Sequence, residues 1–129
     1  MINLYIGERR VGDVTVLDLK GRVRVMGGTV ALHRSIRCLV EEGKTQILLN
    51  LAQVTHIDSS GLGELLASRV TVRNKGGEMK LSHLTEGLTE VMTAAKLLTV
   101  FDVYDNEEDA IASFTGQVLK IAEPAPFFM

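Results

Sequence analysis

The sequence of 129 residues contains one cysteine, no tryptophan, two prolines and no long hydrophobic run. With Cys38 alone, the chain can form neither an intrachain disulfide framework nor a cysteine-rich zinc site. No apolar stretch approaches the roughly 18 residues that a membrane span needs, and the first residues lack the basic and apolar regions of a secretory signal. The sequence therefore predicts a cytoplasmic protein without membrane insertion.

A strong charge of either sign is also missing, because 14 basic and 16 acidic residues give a formal net charge of −2 at pH 7. Basic and acidic side chains are interspersed, whereas a domain that binds duplex nucleic acid usually shows a basic face or stripe. Direct binding to nucleic acid is therefore not expected. Hydrophobic residues make up 46% of the chain, which suits one globular domain with a substantial core.

The hydrophobic period changes repeatedly between that of a strand and that of a helix. The predicted strands cover residues 2–6, 14–19, 47–51, 79–81 and 100–104. The first two are expected to form an antiparallel hairpin that Gly21 ends, and helical stripes follow the later strands. The sequence therefore predicts a single α/β domain with a mixed five-stranded sheet, in which the N-terminal hairpin precedes parallel β-α units, and about four helices.

Each predicted helix shows an apolar stripe and a start or stop signal. The stripes are Leu32, Ile36, Leu39 and Val40; Leu62, Leu65, Leu66 and Val70; Leu88, Val91, Met92 and Ala95; and Ile111 with Phe114. Cys38 falls within the first pattern and is expected to be buried and inert. Gly43 is placed to end the first helix, and Thr85 and Asn106 are placed to cap the third and fourth.

The domain is predicted to cover residues 1–114, with residues 115–129 as a C-terminal extension. Residues 118–121 would suit a further strand, and Pro124 breaks regular structure. The apolar end at residues 127–129 has two interpretations. It docks on the rest of the domain or on a second copy of the chain, or it is a partly ordered terminus. The choice between a monomer and a weak homodimer therefore stays open.

The stretch from His56 to Gly63 joins the third strand to the second helix. Ser59 can serve there as a plain N-cap, since a serine oxygen accepts hydrogen bonds from amides of the first helical turn. Gly61 and Gly63 favour a functional interpretation, because each weakens the helix start by about 1 kcal/mol relative to alanine and leaves its amides open. Free amides and the helix dipole favour an added phosphate, so a phosphorylated serine here would switch a docking surface.

Enzymatic interpretations of the same stretch fail on spacing. A nucleophile elbow needs a glycine two residues before the serine, whereas Ile57 and Asp58 stand at that distance from the two serines. The glycine-rich turn of a dinucleotide site and the lysine of a P-loop are both missing. His56, Asp58 and Ser59 lie too close along one strand end to align as a relay, and the three histidines lack metal-ligand spacing. No active site, metal or cofactor is predicted.

Two glycine-containing segments carry the most specific signal in the chain. They are Asp58-Ser59-Ser60-Gly61-Leu62-Gly63 and Gly76-Gly77-Glu78-Met79-Lys80-Leu81. These segments resemble the sulfate transporter and anti-sigma factor antagonist (STAS) domain family, and within it the stand-alone bacterial anti-anti-sigma proteins. The order of elements from about Asn3 to Phe114 is similar as well. The resemblance implies an anti-sigma factor antagonist-like fold.

The resemblance also implies partner switching without catalysis. In the family, the unmodified protein binds an anti-sigma factor, which then frees its sigma factor for transcription. That anti-sigma factor is also a serine kinase that inactivates the antagonist with ATP, and a phosphatase reverses the modification. The phosphoacceptor follows an acidic residue, so the roles carry over to Ser59 and Asp58. The partner surface carries over to Ser60, Gly61, Leu62 and Gly63 together with Asp58.

The chain departs from the family's pattern at two places. Close relatives end the second strand with Gly-Glu-Leu-Asp, whereas this chain has Gly21-Arg22-Val23-Arg24, so that two acids are replaced by two bases. Either Arg22 or Arg24 pairs with a phosphate on Ser59, or the kinase-facing surface differs. The second place is Lys96, where relatives tend to have glycine. If the helix end needs a left-handed cap there, lysine lowers the stability by about 1 kcal/mol relative to glycine. The alternative is that the helix end is rebuilt.

The altered strand end and the apolar C-terminus also fit an alternative function. The same fold would then serve as an accessory subunit of a membrane transporter, of the phospholipid ABC type, without phosphorylation. Copurification with an ABC ATPase would favour that function, and copurification with a kinase-type anti-sigma factor would favour the switch.

Overall fold

A computed structural model describes the backbone of residues 4–122 and the side chains of residues 4–114; the predictions for residues 1–3 and 123–129 lie outside this part. The elements are β1 Leu4–Val11, β2 Val14–Val23, α1 Gly27–Glu41, β3 Gln46–Ile57, α2 Ser59–Asn74, β4 Glu78–Ser82, α3 Glu86–Ala94, β5 Val103–Tyr104 and α4 Glu107–Ala122. The strands form one sheet in chain order, with β1 antiparallel to β2 and the other pairs parallel. For the described residues, the predicted α/β class, mixed five-stranded sheet and four helices are confirmed.

Strand pairing sorts the side chains of the sheet onto two faces. Leu17, Leu49 and Leu81 form one row across β2, β3 and β4, and they are fully buried in the larger core, under α1, α2 and α3. Val16 and Leu48, one residue earlier, face the other way and pack in a smaller core with α4. Because β3 is covered on both faces, its sequence shows a nearly unbroken apolar run.

A lysine is among the most buried side chains on the α4 side of the sheet. Lys80 of β4 is 1% exposed. Its Nζ donates a hydrogen bond to the Oγ of Ser113 at 2.9 Å, lies 3.9 Å from Oδ2 of Asp102 and sits 4.8 Å from the centre of the Phe114 ring. These contacts supply the partners that a buried charge requires, and they hold α4 on the sheet.

Strands β2 and β3 are both longer than predicted. Among the described residues the pairing of β1 with β2 ends at Gly21, as predicted for the hairpin. The strand itself continues, because Gly21 lies inside β2 with φ of 119°, at a shift of its register with β3. Glycine accepts this backbone conformation without steric cost, so β2 continues to Val23. β3 continues to Ile57, whereas β5 contains two of the five residues predicted for it.

Several predicted positions on the helices are wrong. Cys38 is exposed, because the buried face of α1 runs through other positions. The exposed members of the predicted stripes are Val70, Val91 and Ala95. Val70 lies two residues from the buried Val72, which is about 200° around helix α2. Helix α4 continues past residue 114 to Ala122, so a strand at residues 118–121 is also wrong.

The predicted helix ends are largely confirmed. The side-chain oxygens of Thr85 and Asn106 accept hydrogen bonds from the backbone N–H three residues on, at 3.2 and 2.8 Å. Gly43, just after the end of α1, has φ of 79°. Lys96 has φ of 61°, and the N–H of the next residue donates to the carbonyl of Met92 at 2.8 Å. This is a left-handed helix cap, so the alternative of a rebuilt helix end is wrong.

Candidate partner-docking site

The predicted phosphoacceptor lies at the carboxyl edge of the sheet, where β3 ends and α2 begins. Ser59 is the first residue of α2, and both Ser59 and Ser60 are exposed. In open α/β sheets this edge is the usual place for binding, since helix N-termini and connecting loops gather there. Both hydroxyls are therefore within reach of another protein.

Asp58 caps α2, and the interpretation of a serine as the N-cap is wrong. Oδ1 of Asp58 accepts a hydrogen bond from the N–H of Gly61 at 2.8 Å, and Oδ2 of Asp58 accepts one from the N–H of Val25 at 3.1 Å. The hydrogen bond from Val25 has the largest effect on the pKa of the Asp58 carboxyl, and together with the bond from Gly61 it holds this pKa below its ordinary value. The charge of Arg24 acts in the same direction. Asp58 thus ties the loop after β2 to the start of α2 and leaves the serine hydroxyls free of the capping role.

The two glycines of the first turn of α2 have different surroundings. Gly61 is buried, and a Cβ there would collide with the carbonyl oxygen of Val23 and lie 2.7 Å from Cγ1 of Ile57. Gly63 is exposed, and a Cβ there would meet nothing within 4 Å. The expectation of open amides is wrong for Gly61, whose N–H is taken by Asp58 and whose missing side chain lets α2 pack on the end of β2, whereas Gly63 leaves open space on the surface of the helix. Leu62 is half-buried and packs against the larger core.

Two exposed apolar side chains lie in the loop after β2, which is tied to the start of α2, and were not singled out from the sequence. Val25 is 56% exposed and Met26 is 74% exposed, in the loop that Asp58 holds. Met26 has φ of 76° and ψ of −109°, which is unusual for a residue with a side chain. The signal that could have found them is an apolar pair at a strand–helix junction, where polar turn residues are the rule. The exposed residues gathered here are named the docking face: Val25, Met26, Ser59, Ser60 and Gly63.

Basic side chains flank the docking face. Arg22 of β2 lies opposite His56 of β3 in the strand register, and both side chains are exposed. Arg24 follows the end of β2 and, together with His56, lines a groove beside β3. The charge of Arg24 acts on the carboxyl of Asp58, the residue before Ser59. Of the two arginines singled out from the sequence, Arg24 is therefore the one whose charge reaches the start of α2.

The side chains around Ser59 are arranged for structure and contact instead of proton transfer. Nδ1 of His56 lies 3.0 Å from Oγ1 of Thr55, and the carboxylate of Asp58 is turned to backbone amides, so these groups do not line up with Ser59 as a relay. Within the described side chains, no three histidines, cysteines or acidic residues come together to hold a metal ion. None of the helices in the described part of the chain has the length and apolar character to cross a membrane.

Comparison with known proteins assigns the fold to a family. The model of the STAS domain matches residues 9–110. This chain belongs to the STAS domain family. The match covers most of the predicted domain, and the resemblance drawn from the sequence is confirmed.

Two relatives of this STAS domain are antagonists of anti-sigma factors. The anti-sigma F factor antagonist of Paenibacillus polymyxa is 32% identical over 110 residues, which cover 85% of this chain and 94% of the relative. The anti-sigma-B factor antagonist of Bacillus subtilis (strain 168) is 26% identical over 110 residues, which cover 85% and 99%. An anti-sigma factor antagonist structure from Mycobacterium paratuberculosis superposes with a TM-score of 0.76 at 19% identity, covering 87% of this chain and 94% of that one, and it shows the shared fold.

Proposed function

We propose that this STAS domain is an anti-sigma factor antagonist of the cytoplasm, which binds its partner through the docking face and is released by phosphorylation of Ser59. The observation that carries the proposal is the position of Ser59, an exposed hydroxyl at the first residue of α2, next to the residue that holds the loop with the exposed Val25 and Met26. The names of the two relatives support an anti-sigma factor as the partner. The domain acts by binding and performs no reaction of its own.

In the unmodified state the docking face is neutral and partly apolar. Ser59 and Ser60 carry hydroxyls, and Gly63 leaves the first turn of α2 without a side chain over it. Val25 and Met26 supply apolar area, whose burial stabilises a complex by roughly 25 cal/mol per Å². An anti-sigma factor held on this face releases its sigma factor for transcription.

The anti-sigma factor acts as the kinase, and a phosphatase restores the active form. The kinase transfers the γ-phosphoryl group of ATP to Oγ of Ser59, with loss of the hydroxyl proton and release of ADP. Hydrolysis by the phosphatase returns the serine and inorganic phosphate. The kinase must reach the hydroxyl and the phosphatase must reach the phosphate ester, and the exposed position of Ser59 meets both conditions.

A phosphoryl group changes the docking face through its charge, since phosphoserine carries roughly −1.5 to −2 charges at neutral pH. Two features of this chain stabilise it there: the positive end of helix α2 and the guanidinium of Arg24, whose charge already reaches Asp58. A partner that covers the docking face must then bury an anion, which costs several kcal/mol unless the partner supplies a cation. The modified protein therefore dissociates.

The phosphorylation site is tested by incubating the full chain with its kinase-type anti-sigma factor and Mg-ATP, followed by phosphopeptide mapping. We expect one phosphate on Ser59, none on Ser59→Ala, and normal modification of the control Ser60→Ala. A Ser59→Ala chain that is still fully modified would refute the site.

The charge mechanism is tested by the affinity of two variants for the anti-sigma factor. Ser59→Asp is expected to bind roughly tenfold to a hundredfold more weakly than Ser59→Asn, because the two side chains differ mainly in charge. Equal dissociation constants for the two variants would contradict repulsion by charge. Copurification of the full chain with an ABC ATPase in place of an anti-sigma factor would favour the transporter-subunit function instead.

A further inference from the structure

The second half of β3 is paired on one side only. β4 pairs with residues 46–50 of β3, whereas β2 pairs with β3 as far as Ile57. Along residues 51–57, the other edge has no strand beside it in the part of the chain that the structure describes. The N–H of Ala52 donates to Oδ1 of Asn50 at 3.1 Å, so the edge that is open to another chain covers residues 53–57. Gln53, Thr55 and His56 are exposed along this stretch. An unpaired strand edge presents backbone N–H and C=O groups with which another extended chain can pair.

This free edge opens on a groove of about 560 Å³ beside helix α3. α3 is fixed there because Leu88 is buried in the same core as Val54 of β3. Gly87, at the rim, leaves room for a second backbone, since a Cβ at that position would meet nothing within 4 Å. Thr55, His56 and Ile57 of β3 line the groove, and the open edge of residues 53–57 gives a docking length of roughly 17 Å at about 3.3 Å per residue.

The side chains of the groove indicate the chemistry of its occupant. The charged residues that line it are Arg24, His56 and Asp58, and both carboxylate oxygens of Asp58 already accept backbone hydrogen bonds. Glu86 and Glu90 of α3 do not line it. Arg24 carries a permanent positive charge, and Asp58, with both oxygens turned to backbone amides, is the one carboxylate among the described residues of the lining. An acidic occupant is therefore favoured.

Apolar contacts come from the α3 wall of the groove. Leu88 and Val91 line this wall, and Val91 is 38% exposed although it is a large hydrophobic residue. Successive side chains of an added strand point to opposite faces, so an occupant that alternates acidic and apolar residues meets the cations and the apolar wall in turn.

We propose that the groove binds an extended acidic segment of the partner protein, which adds to the sheet as a strand beside residues 53–57. Main-chain hydrogen bonds to β3 supply affinity, Arg24 pairs with a carboxylate of the segment, and Val91 contacts an apolar side chain. The inference rests on the proposed function and deepens it, because a phosphate on Ser59 competes with that carboxylate for Arg24.

The occupant is tested by selecting random decapeptides displayed on phage against the immobilised full-length chain, and by titrating the enriched peptides into the ¹⁵N-labelled chain. We expect enriched sequences in which Asp or Glu alternates with apolar residues. The enriched peptides should shift the amide signals of residues 51–57 and 86–91 and slow the hydrogen exchange of backbone amides in β3. Enrichment of basic or helix-forming peptides, no enrichment, or signal shifts confined to other regions would overturn the proposal.

Matched variants separate the groove from general effects of charge and size. Arg24→Glu is expected to weaken binding of an enriched acidic peptide by about tenfold or more and to reduce its salt dependence. Arg10→Glu, at an exposed position near the other end of the sheet, should leave the affinity unchanged. Gly87→Phe should block the groove, whereas Gly7→Phe, also in open space, should not. Equal affinities for the variant and its control in either pair would overturn strand addition.

The inference and the proposed function fail in different ways. If Ser59→Asp weakens the complex with the anti-sigma factor and Gly87→Phe leaves it unchanged, strand addition is wrong and the phosphorylation switch stands. If Gly87→Phe weakens the complex while Ser59→Asp and Ser59→Asn bind equally, strand addition stands and the switch is wrong.

Discussion

Replacing Gly61 or Gly63 with alanine adds the same methyl group to the first turn of α2, and the structure predicts opposite effects on stability. At Gly63 the methyl group contacts nothing within 4 Å. Alanine is favoured over glycine in a helix by about 1 kcal/mol, so the free energy of unfolding of Gly63→Ala should rise by about 0.5–1 kcal/mol.

At Gly61 the same gain in helix propensity is present, but the methyl group meets the carbonyl oxygen of Val23. That oxygen belongs to the backbone at the end of β2, where Val23 pairs with Ile57, and it cannot move without shifting the strand. Overpacking of this kind costs about 1–3 kcal/mol, and a collision with backbone lies at the upper end of that range. We therefore expect Gly61→Ala to lower the free energy of unfolding by about 2 kcal/mol after the propensity gain is subtracted.

Urea titrations followed by far-ultraviolet circular dichroism measure this difference. The two variants should differ by about 3 kcal/mol, which corresponds to midpoints roughly 1–3 M apart for typical denaturant dependences. Each variant serves as the control for the other, because the chemical change is identical. A Gly61→Ala midpoint at or above that of the unmodified chain would refute the close approach of α2 to β2.

Lys96→Gly is expected to raise the free energy of unfolding by about 1 kcal/mol, because Lys96 holds φ of 61° in a helix cap. Lys96→Ala keeps the Cβ and serves as the control. A melting temperature that glycine leaves unchanged would contradict backbone strain at this position. Arg9 donates hydrogen bonds to Asp18 and Glu107 and so holds the pKa of both carboxyls below their ordinary values. Such groups stabilise the fold above their unfolded-state pKa, and this contribution is lost as the pH falls through the lowered values. Arg9→Met should therefore flatten the fall in urea midpoint between about pH 5 and pH 3, and an equally steep fall would count against this network.

The sequence by itself determined the kinds of elements and their order. The apolar run at residues 47–51 and the helical stripes reflect periods of two and 3.6 residues, which the backbone imposes within each element. The caps at Thr85 and Asn106 bond three residues along the chain, so neighbouring residues are enough to specify them. The start of α2 near Ser59 was predictable for the same reason, since a strand pattern changes there to a helix pattern.

The tertiary structure alone decided which residues of the site are structural and which are exposed. Asp58, besides its local cap to Gly61, became a tether because Val25, 33 residues away, donates to it across the edge of the sheet. Gly61 is enclosed and Gly63 is open because the end of β2 lies against one and not the other. Lys80 is buried because α4 brings Ser113 to its amine. Each of these outcomes depends on contacts between residues far apart in the chain, which local periodicity does not encode.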